Sequence, residues 1–290
     1  MIVAVYGQDY KNDANSKAFQ LLIDVLLESK VGVTVEENFL KIQNSAVQNS
    51  SAIQSFSELS KNTDLLITIG GDGTILRAIT LVKDLGIPII GVNTGRLGFL
   101  ATIQTNAIES AVKSVLAGDY QISERSLLSI TVENEKIITP SFALNEITVS
   151  RKNTTSMITV ETHLDEEYLT SYWADGLIIA TPTGSTGYSL SCGGPVISPE
   201  ANNMVLTPIA PHNLNARPLV INDSTTISLS VEGREDEFLL SLDSRIITLP
   251  KETKLTIKKA DFKIKMVELT NKSFIDTLRK KLLWGEDRRN

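Results

Sequence analysis

The sequence contains few of the residues that build disulfides, metal sites and histidine-based active sites. Its 290 residues include one cysteine, Cys192, and two histidines, His163 and His212. A single cysteine excludes an internal disulfide and any zinc site with several cysteine ligands. Two histidines leave few candidate bases for a serine hydrolase, and the G-x-S-x-G elbow of such enzymes has no match around Ser185. We therefore expect both histidines to be structural and Cys192 to be a packing residue.

The sequence also lacks long apolar runs and clusters of positive charge. No apolar run approaches the ~18 residues that a membrane span needs. No basic segment precedes the apolar residues 2–6, so we expect no signal peptide. Lys and Arg together number 28 and Asp and Glu 34, which gives a net charge of −6 and disfavours binding to duplex nucleic acid. We expect a cytoplasmic protein that has neither a nucleic acid nor a membrane as its partner.

The composition and the first 120 residues indicate a globular protein that begins with an α/β domain. Hydrophobic residues make up 42% and charged residues 21%, which excludes a disordered or fibrous chain. At ~150 residues per domain, the length suggests two domains. Apolar runs predict strands at residues 2–6, 65–69 and 87–91. Amphipathic spacing predicts helices at residues 19–26, 50–59, 75–82 and 103–116. This alternation favours a mostly parallel sheet with crossover helices.

After about residue 120 the pattern changes to a succession of short strands. Among them, only residues 185–192 have a helical pattern. Many short strands with few helices predict a β-rich, sandwich-like second domain. The predicted strands are residues 127–132, 137–149, 157–163, 168–172, 177–181, 225–231, 238–242, 246–249, 255–257 and 262–267.

The end of the chain is predicted to be helical again. Phe274, Leu278 and Leu282 recur four residues apart within residues 273–284, as on one face of a helix. We expect this helix to pack on the first domain or on the junction between the domains. The predicted division is therefore an α/β domain of residues 1–120 joined by a helix at 271–290, and a β-rich domain of residues 121–270.

The motif GGDGT at residues 70–74 lies between a predicted strand and a predicted helix, where open α/β sheets bind ligands. Glycines let the backbone approach a phosphate closely, and N–H groups at the start of a helix attract anions. Asp72 is unusual in this place, because a carboxylate repels phosphate unless it orients a hydroxyl or works with Mg²⁺. The alternative is a tight turn whose aspartate caps the helix. The motif matches neither G-x-G-x-x-G nor the P-loop pattern.

Three further polar segments could contribute to the same site. Residues 93–100, NTGRLGFL, follow the next predicted strand and form either a second wall of a cleft or a structural turn. Asn145 and Glu146 lie in a strand-like stretch, where only a strand end or a bulge would aim both at one ligand. Residues 181–191, TPTGSTGYSLS, follow Asp175 and carry hydroxyl groups that can bond to a ribose, phosphate or amide.

In this order and at this spacing, the motifs resemble the ATP-NAD kinase family, from about residue 70 to the C-terminal helix. Residues 211–219, PHNLNARPL, add to the resemblance. It implies a kinase that transfers a phosphoryl group from ATP to the 2′-hydroxyl of the adenosine ribose of NAD, giving NADP. It also implies a site between an α/β and a β-rich domain. Mg²⁺ or another divalent metal would bind mainly through the donor phosphates, and no protein ligand to the metal is assigned.

The resemblance also assigns roles to individual residues. Asp72 is similar to the catalytic group that orients or deprotonates the ribose hydroxyl. Phe99 and Asp243 are further candidates for contact with the ligand. The residues that would line the phosphates are Gly71, Gly73 and Thr74. The residues that would hold the dinucleotide are Asn145, Glu146, Asp175, Thr186, Gly187, Tyr188 and Ser191.

The resemblance further implies a homodimer or homotetramer in which subunits pair through the β-rich residues 127–267. An open sheet has edges that must be paired or covered, which is consistent with such an interface. Arg245, next to Asp243, is either a contact near the ligand or a solvated surface residue. The alternative is a monomer whose own loops cover its edges.

Three functions are compatible with the motifs. An NAD kinase is the leading function. Both NAD and NADH stay open as acceptors, because this sequence has Trp173-Ala174 where the family often has a more polar pair. The donor could be ATP, another nucleotide or polyphosphate. The alternatives are a small-molecule or lipid kinase with the same loop, and a dinucleotide sensor without catalysis. Asn145, Glu146 and residues 181–191 favour a dinucleotide, and Asp72 favours an enzyme.

Overall fold

The computed structural model describes residues 1–8, 13–133, 139–153, 156–270 and 273–285. These residues form two compact units. One unit comprises the described parts of Met1–Glu124 and Ile264–Asn290, and the other comprises those of Arg125–Lys263. None of the described helices is long and apolar enough to cross a membrane.

Strands and helices alternate in the first part of the chain, as the sequence predicts. The strands are β1 (Ile2–Gly7), β2 (Gly32–Glu36), β3 (Ile53–Phe56), β4 (Leu65–Gly70), β5 (Ile89–Asn93), β6 (Ile103–Gln104) and β7 (Tyr120–Arg125). The helices are α1 (Asp13–Glu28), α2 (Glu37–Lys41), α3 (Ser45–Gln48), α4 (Asp72–Val82) and α5 (Ile108–Ala117).

The middle of the chain consists mainly of strands. They are β8 (Leu128–Val132), β9 (Phe142–Ala143), β10 (Glu146–Arg151), β11 (Ile158–Leu164), β12 (Glu167–Ala174), β13 (Gly176–Ala180), β14 (Asn203–Ile209), β15 (Leu219–Asn222), β16 (Ile227–Gly233), β17 (Glu237–Leu242), β18 (Arg245–Pro250) and β19 (Leu255–Lys259). A short helix, α6 (Tyr188–Ser191), follows a 3₁₀ turn at Thr183–Thr186. The chain then continues into β20 (Ile264–Leu269) and α7 (Phe274–Leu282).

The first unit is built on one sheet with the strand order β3-β2-β1-β4-β5-β20-β7, and β6 pairs with β5. The pairs β1–β2, β1–β4 and β4–β5 are parallel. Every residue of β4 and β5 is buried, as expected for a parallel sheet that is covered on both faces. The predicted apolar face of α1 packs against this sheet through Phe19, Leu22, Ile23 and Leu26.

The second unit contains two antiparallel sheets, with the strand orders β15-β14-β13-β10-β17-β18 and β12-β11-β16-β19-β8-β9. Buried apolar side chains from both sheets form one cluster, for example Ile130 of β8 with Val149 of β10. Shared burial between two sheet faces is typical of a β-sandwich. The predicted fold class, an α/β domain followed by a β-rich sandwich-like domain, is confirmed.

Three elements differ from their predicted form or place. The strand predicted at residues 262–267 within the β-rich domain is β20, which lies in the first sheet between β5 and β7. Residues 50–59, predicted as a weak helix, contain the strand β3, because parallel pairing with β2 overrides a poor local helix pattern. The helix predicted from residue 103 begins at Ile108, because Ile103 pairs with β5.

Two predicted elements extend beyond the described residues. Residues 137 and 138 of the strand predicted at 137–149 lie outside them, and the described remainder contains β9 and β10. Residues 271, 272 and 286–290 of the predicted terminal helix also lie outside. The described helix α7 begins after Ser273, whose hydroxyl accepts a hydrogen bond from the N–H of Asp276 at 3.1 Å.

Two adjacent leucines of α1 test this account of the first core. Leu22 is fully buried, whereas Leu21 is 39% exposed. We expect Leu22→Ala to lower the free energy of unfolding by about 2–5 kcal/mol through lost burial and a residual cavity. Leu21→Ala, the matched control, should cost less than about 1 kcal/mol. Urea unfolding followed by circular dichroism measures both variants, and equal losses would contradict the assigned packing face.

Candidate active site

Asp72 is the first residue of α4, and only Gly71 separates it from the end of β4. Its side chain does not cap its own helix. Instead, its carboxylate accepts hydrogen bonds from three consecutive backbone N–H groups: Phe99 at 2.8 Å, Leu100 at 3.0 Å and Ala101 at 2.9 Å. The alternative of a helix-capping aspartate is therefore wrong, because the carboxylate connects two loops.

The loop after β5 is shaped to receive this carboxylate. A methyl group built on Gly98 would lie 1.9 Å from Asp72 Oδ1, so only glycine fits there. Asn93 holds the start of the loop, since its side-chain amide donates to the carbonyl of Arg96 at 2.6 Å and its Oδ1 accepts from Gly95 N–H at 2.8 Å. The segments at 70–74 and 93–100 are thus in direct contact.

Gly71 and Gly73 face open space, because a methyl group on either would meet no other atom within 4 Å. Both are exposed and lie at the N-terminal end of the 11-residue helix α4. N–H groups at such a position attract anions. Thr74 is different, since it is buried and its hydroxyl accepts a hydrogen bond from the Gln8 amide at 3.4 Å.

In the second unit, Asp243 organises the backbone around Asn145 and Glu146. Asp243 lies in the turn between β17 and β18 at a φ of 52°. Its carboxylate accepts hydrogen bonds from the N–H groups of Leu144 at 3.0 Å, Asn145 at 2.8 Å and Glu146 at 3.2 Å. Asn145 and Glu146 consequently lie at the start of β10, at a strand end where neighbouring side chains are not forced to opposite faces.

The side chains of Asn145 and Glu146 leave two polar atoms without partners. Asn145 Oδ1 and Glu146 Oε2 are buried, and neither has a hydrogen-bond partner within the described residues. Burial raises the pKa of the Glu146 carboxyl to about 7, the charge of Asp243 adds to the rise, and the N–H of Tyr188 opposes it. Buried acceptors without donors are rare in native proteins and indicate a missing ligand or water.

Residues 181–191 pack directly on Asn145. The Thr181 hydroxyl donates to the carbonyl of Leu144 at 2.6 Å, and the Thr181 N–H donates to the carbonyl of Asn145 at 2.9 Å. A methyl group on Gly184 would lie 2.0 Å from the same carbonyl oxygen. A methyl group on Gly187 would lie 3.0 Å from Glu146 Oε2.

Several hydroxyl groups of this segment bond within the protein. The Ser185 hydroxyl donates to the carbonyl of Pro182 at 2.7 Å and accepts from Ile197 N–H at 3.0 Å. The Thr186 hydroxyl donates to the carbonyl of Thr183 at 3.2 Å. Tyr188 and Ser191 are exposed, so their side chains are accessible to a ligand.

Tyr188 lies near both Asp175 and Glu146. Burial raises the pKa of the Tyr188 hydroxyl, and the charges of Asp175 and Glu146 contribute to the rise. Asp175 forms an ion pair with Arg151 at 2.9 Å. Burial also raises the pKa of the Cys192 thiol, which makes it a weaker nucleophile.

Arg245 and Trp173 both make contacts within the protein. The Arg245 guanidinium donates hydrogen bonds to the carbonyls of Pro140 and Phe142. The indole of Trp173 lies 5.1 Å from the imidazole of His212, measured between ring centres.

The described residues do not form a protein cage for a metal. Among them, no group of three or more His, Cys, Asp or Glu side chains could hold a metal ion. Three of the roughly four acceptor positions of the Asp72 carboxylate are used by backbone N–H groups. A divalent ion at this site would therefore be held by other ligands, such as phosphate oxygens.

Sequence reasoning missed two features of the site. One is the set of backbone donors from Phe99 to Ala101, for which Gly98 is the only local signal. The other is Lys281 of α7, whose ammonium lies 3.8 Å from Asp72 Oδ2 and which no sequence motif singles out.

Comparison with known proteins finds matches to both parts of the chain. The profiles of the ATP-NAD kinase N-terminal and C-terminal domains match residues 10–120 and 144–269. NAD kinases of Flavobacterium psychrophilum and Christiangramia forsetii are each 56% identical to this chain, with complete coverage of both partners.

Two solved structures are similar along nearly the whole chain. Yeast NADH kinase complexed with NADH has a TM-score of 0.86 at 25% identity, covering 99% of this chain and 88% of its own. An NAD kinase from Archaeoglobus fulgidus in complex with ATP has a TM-score of 0.76 at 26% identity, covering 98% and 99%. Since both domain profiles match and full-length relatives share more than half of its residues, this chain belongs to the ATP-NAD kinase family.

Proposed function

We propose that this chain is an NAD kinase, which transfers a phosphoryl group from ATP to the 2′-hydroxyl of the adenosine ribose of NAD and so produces NADP. The full-length relatives carry the name NAD kinase, and the similar solved structures contain NADH or ATP. The observation that carries the proposal is the Asp72 carboxylate, held by three backbone N–H groups next to open glycines.

Asp72 acts on the attacking hydroxyl. Three of its acceptor positions are occupied, which leaves about one to receive a hydrogen bond from the ribose 2′-hydroxyl. A ribose hydroxyl is a far weaker acid than a carboxylic acid, so Asp72 does not ionise it in the ground state. The carboxylate orients the hydroxyl and accepts its proton late in a loose transition state.

The donor phosphates bind at the exposed N-terminal end of α4. Gly71 and Gly73 offer N–H groups and leave room for phosphate oxygens, while Thr74 supports the loop from inside. Mg²⁺ or another divalent ion would arrive with the donor phosphates and reduce their charge.

Asn145 and Glu146 hold the adenosine. Their buried atoms Oδ1 and Oε2 need hydrogen-bond donors, and ribose hydroxyls and the adenine amino group supply them. Thr186, Gly187, Tyr188 and Ser191 line the same pocket. Asp175, which keeps its ion pair with Arg151, binds an amide or amine of the dinucleotide through its remaining acceptor positions.

The direct test offers the protein several acceptors. Purified protein is incubated with ATP and Mg²⁺ and with NAD, NADH, sugars or diacylglycerol, and each product is identified by mass spectrometry. NADP, or NADPH from NADH, is the expected product. Phosphorylation of a sugar or lipid alone would support another kinase with the same loop, and NAD binding without any product would support a sensor.

The first prediction concerns the catalytic carboxylate. Asp72→Asn should lower kcat by ~10²–10⁴-fold, the usual effect of losing a positioned base, and leave NAD affinity nearly unchanged. Because an amide cannot accept all three N–H groups, thermal unfolding is measured alongside. Asp84→Asn, at an exposed aspartate after α4, is the matched control and should turn over normally. Normal turnover by Asp72→Asn would refute the assignment.

The second prediction concerns the pH dependence of NAD binding. With a pKa of about 7, Glu146 is mostly protonated at pH 6 and mostly ionised at pH 8. The ionised form accepts ribose hydroxyls, so NAD should bind about 10-fold more tightly at pH 8 than at pH 6 by calorimetry. Glu146→Gln should remove this dependence and weaken binding at pH 8 by about 1.5–3 kcal/mol.

The same variant has a second readout in stability. The native carboxyl stays protonated up to about pH 7, whereas the unfolded one ionises near its ordinary value of 4.5. The native state therefore binds more protons between these values, and stability falls as the pH rises through that window. Glu146→Gln should flatten this fall. Unchanged NAD affinity together with an unchanged stability profile would contradict the role of Glu146.

We also propose a cytoplasmic homodimer or homotetramer that pairs through the β-rich unit. Val220 on the edge strand β15 and Ile246 on the edge strand β18 are 45% and 62% exposed. Exposed apolar residues on sheet edges favour pairing with another chain. Light scattering over a dilution series should detect an oligomer that Ile246→Glu weakens. Leu21→Glu, at an exposed leucine on helix α1 of the first unit, is the control. A fully active monomer would refute this interface.

A further inference from the structure

The structure places a cation next to the Asp72 carboxylate from a distant part of the chain. Lys281 lies near the end of α7, and its ammonium is 3.8 Å from Asp72 Oδ2. The same ammonium lies over the ring of Phe99, 4.6 Å from the ring centre. Lys281 therefore contacts both the carboxylate and the residue whose N–H begins the row of donors to it.

The helix that carries Lys281 is fixed against this loop. Leu278 is buried, and the ring of Phe274 packs 6.2 Å from the ring of Phe99, measured between centres. The Ser273 hydroxyl caps the start of the helix. The position of Lys281 beside Asp72 thus follows from the packing of the helix and does not depend on the ion pair alone.

The geometry indicates that Lys281 contributes charge more than orientation. A separation of 3.8 Å exceeds the 2.7–3.2 Å of an N–H···O hydrogen bond. Three backbone N–H groups already fix the orientation of the carboxylate. One third of the Lys281 side chain is exposed, and such pairs add little to stability.

The glycine loop itself lacks a positive charge. Residues 68–76 contain no lysine or arginine, whereas P-loop enzymes carry a lysine within the loop that cradles the phosphates. Asp72 instead brings a negative charge to the place where the donor phosphates are proposed to bind. An uncompensated carboxylate would repel them.

We infer that Lys281 assists phosphoryl transfer through Asp72: it balances the charge of this carboxylate and so lets the donor phosphates approach the glycine loop. This inference rests on the proposed function. It means that the C-terminal helix supplies the cation that the loop sequence does not contain.

The first test measures affinities for ATP and NAD by calorimetry. Lys281→Met should weaken ATP binding about 10-fold through unbalanced repulsion, and leave NAD affinity unchanged. Lys281→Arg should restore ATP affinity. Lys280→Met, at the exposed neighbouring lysine, is the matched control and should bind ATP normally. If Lys281→Met unfolds at a lower temperature than the unmodified protein, Lys281→Gln is used as a second neutral variant. Normal ATP affinity in both neutral variants would overturn the inference.

The second test is a double-mutant cycle with Asp72→Asn. If Lys281 acts by balancing Asp72, removing its charge should weaken ATP binding by less than ~2-fold once Asp72 is neutral. A full 10-fold effect in that background would overturn the inference, because Lys281 would then act on the phosphates without Asp72. Binding is measured without turnover, so absence of NADP formation by the unmodified protein would refute the proposed function separately.

Discussion

The hydrogen bonds from three consecutive N–H groups to the Asp72 carboxylate are the interaction on which the candidate site of the first unit depends. They join the loop after β4 to the loop after β5, two adjacent parallel strands whose carboxyl ends lie side by side. Without them, the glycines at the start of α4 would form an ordinary anion site with a repelling carboxylate. With them, the carboxylate has a fixed direction and a single remaining acceptor position, as the proposed chemistry requires.

The second unit uses the same device for a different result. Asp243, in a tight turn, also accepts three consecutive N–H groups, and thereby places Asn145 and Glu146 at the start of a strand. Here the aspartate organises the backbone, and the side chains of Asn145 and Glu146 each keep one buried oxygen atom without a hydrogen-bond donor among the described residues. Buried acceptors without donors cost stability, which is why such atoms concentrate at binding sites. In both units, therefore, an aspartate carboxylate accepts three consecutive backbone N–H groups from another segment of the chain.

The parts of the fold that could be predicted are those set by local patterns. The spacing of Phe19, Leu22 and Leu26 defines the buried face of α1, because the helical period alone determines which side chains point together. The strand β20 was predicted to exist but assigned to the wrong sheet, since its partners lie more than 100 residues away. The contact of Asp243 with Asn145 is equally non-local.

The candidate site was predictable in its residue types and less so in their roles. Glycines and an aspartate after a strand indicate phosphate chemistry from sequence. By contrast, the hydroxyls of Ser185 and Thr186, expected among the groups that bind a ligand, bond to their own loop. Backbone N–H donors give no signal in the types of residue along the sequence, and Lys281 belongs to no recognisable motif.

The most direct test of the account is a crystal structure with bound NAD. It predicts the 2′-oxygen of the adenosine ribose within about 3 Å of the Asp72 carboxylate, and a ribose whose 3′-oxygen alone contacts Asp72, or whose hydroxyls face away from it, would contradict the account.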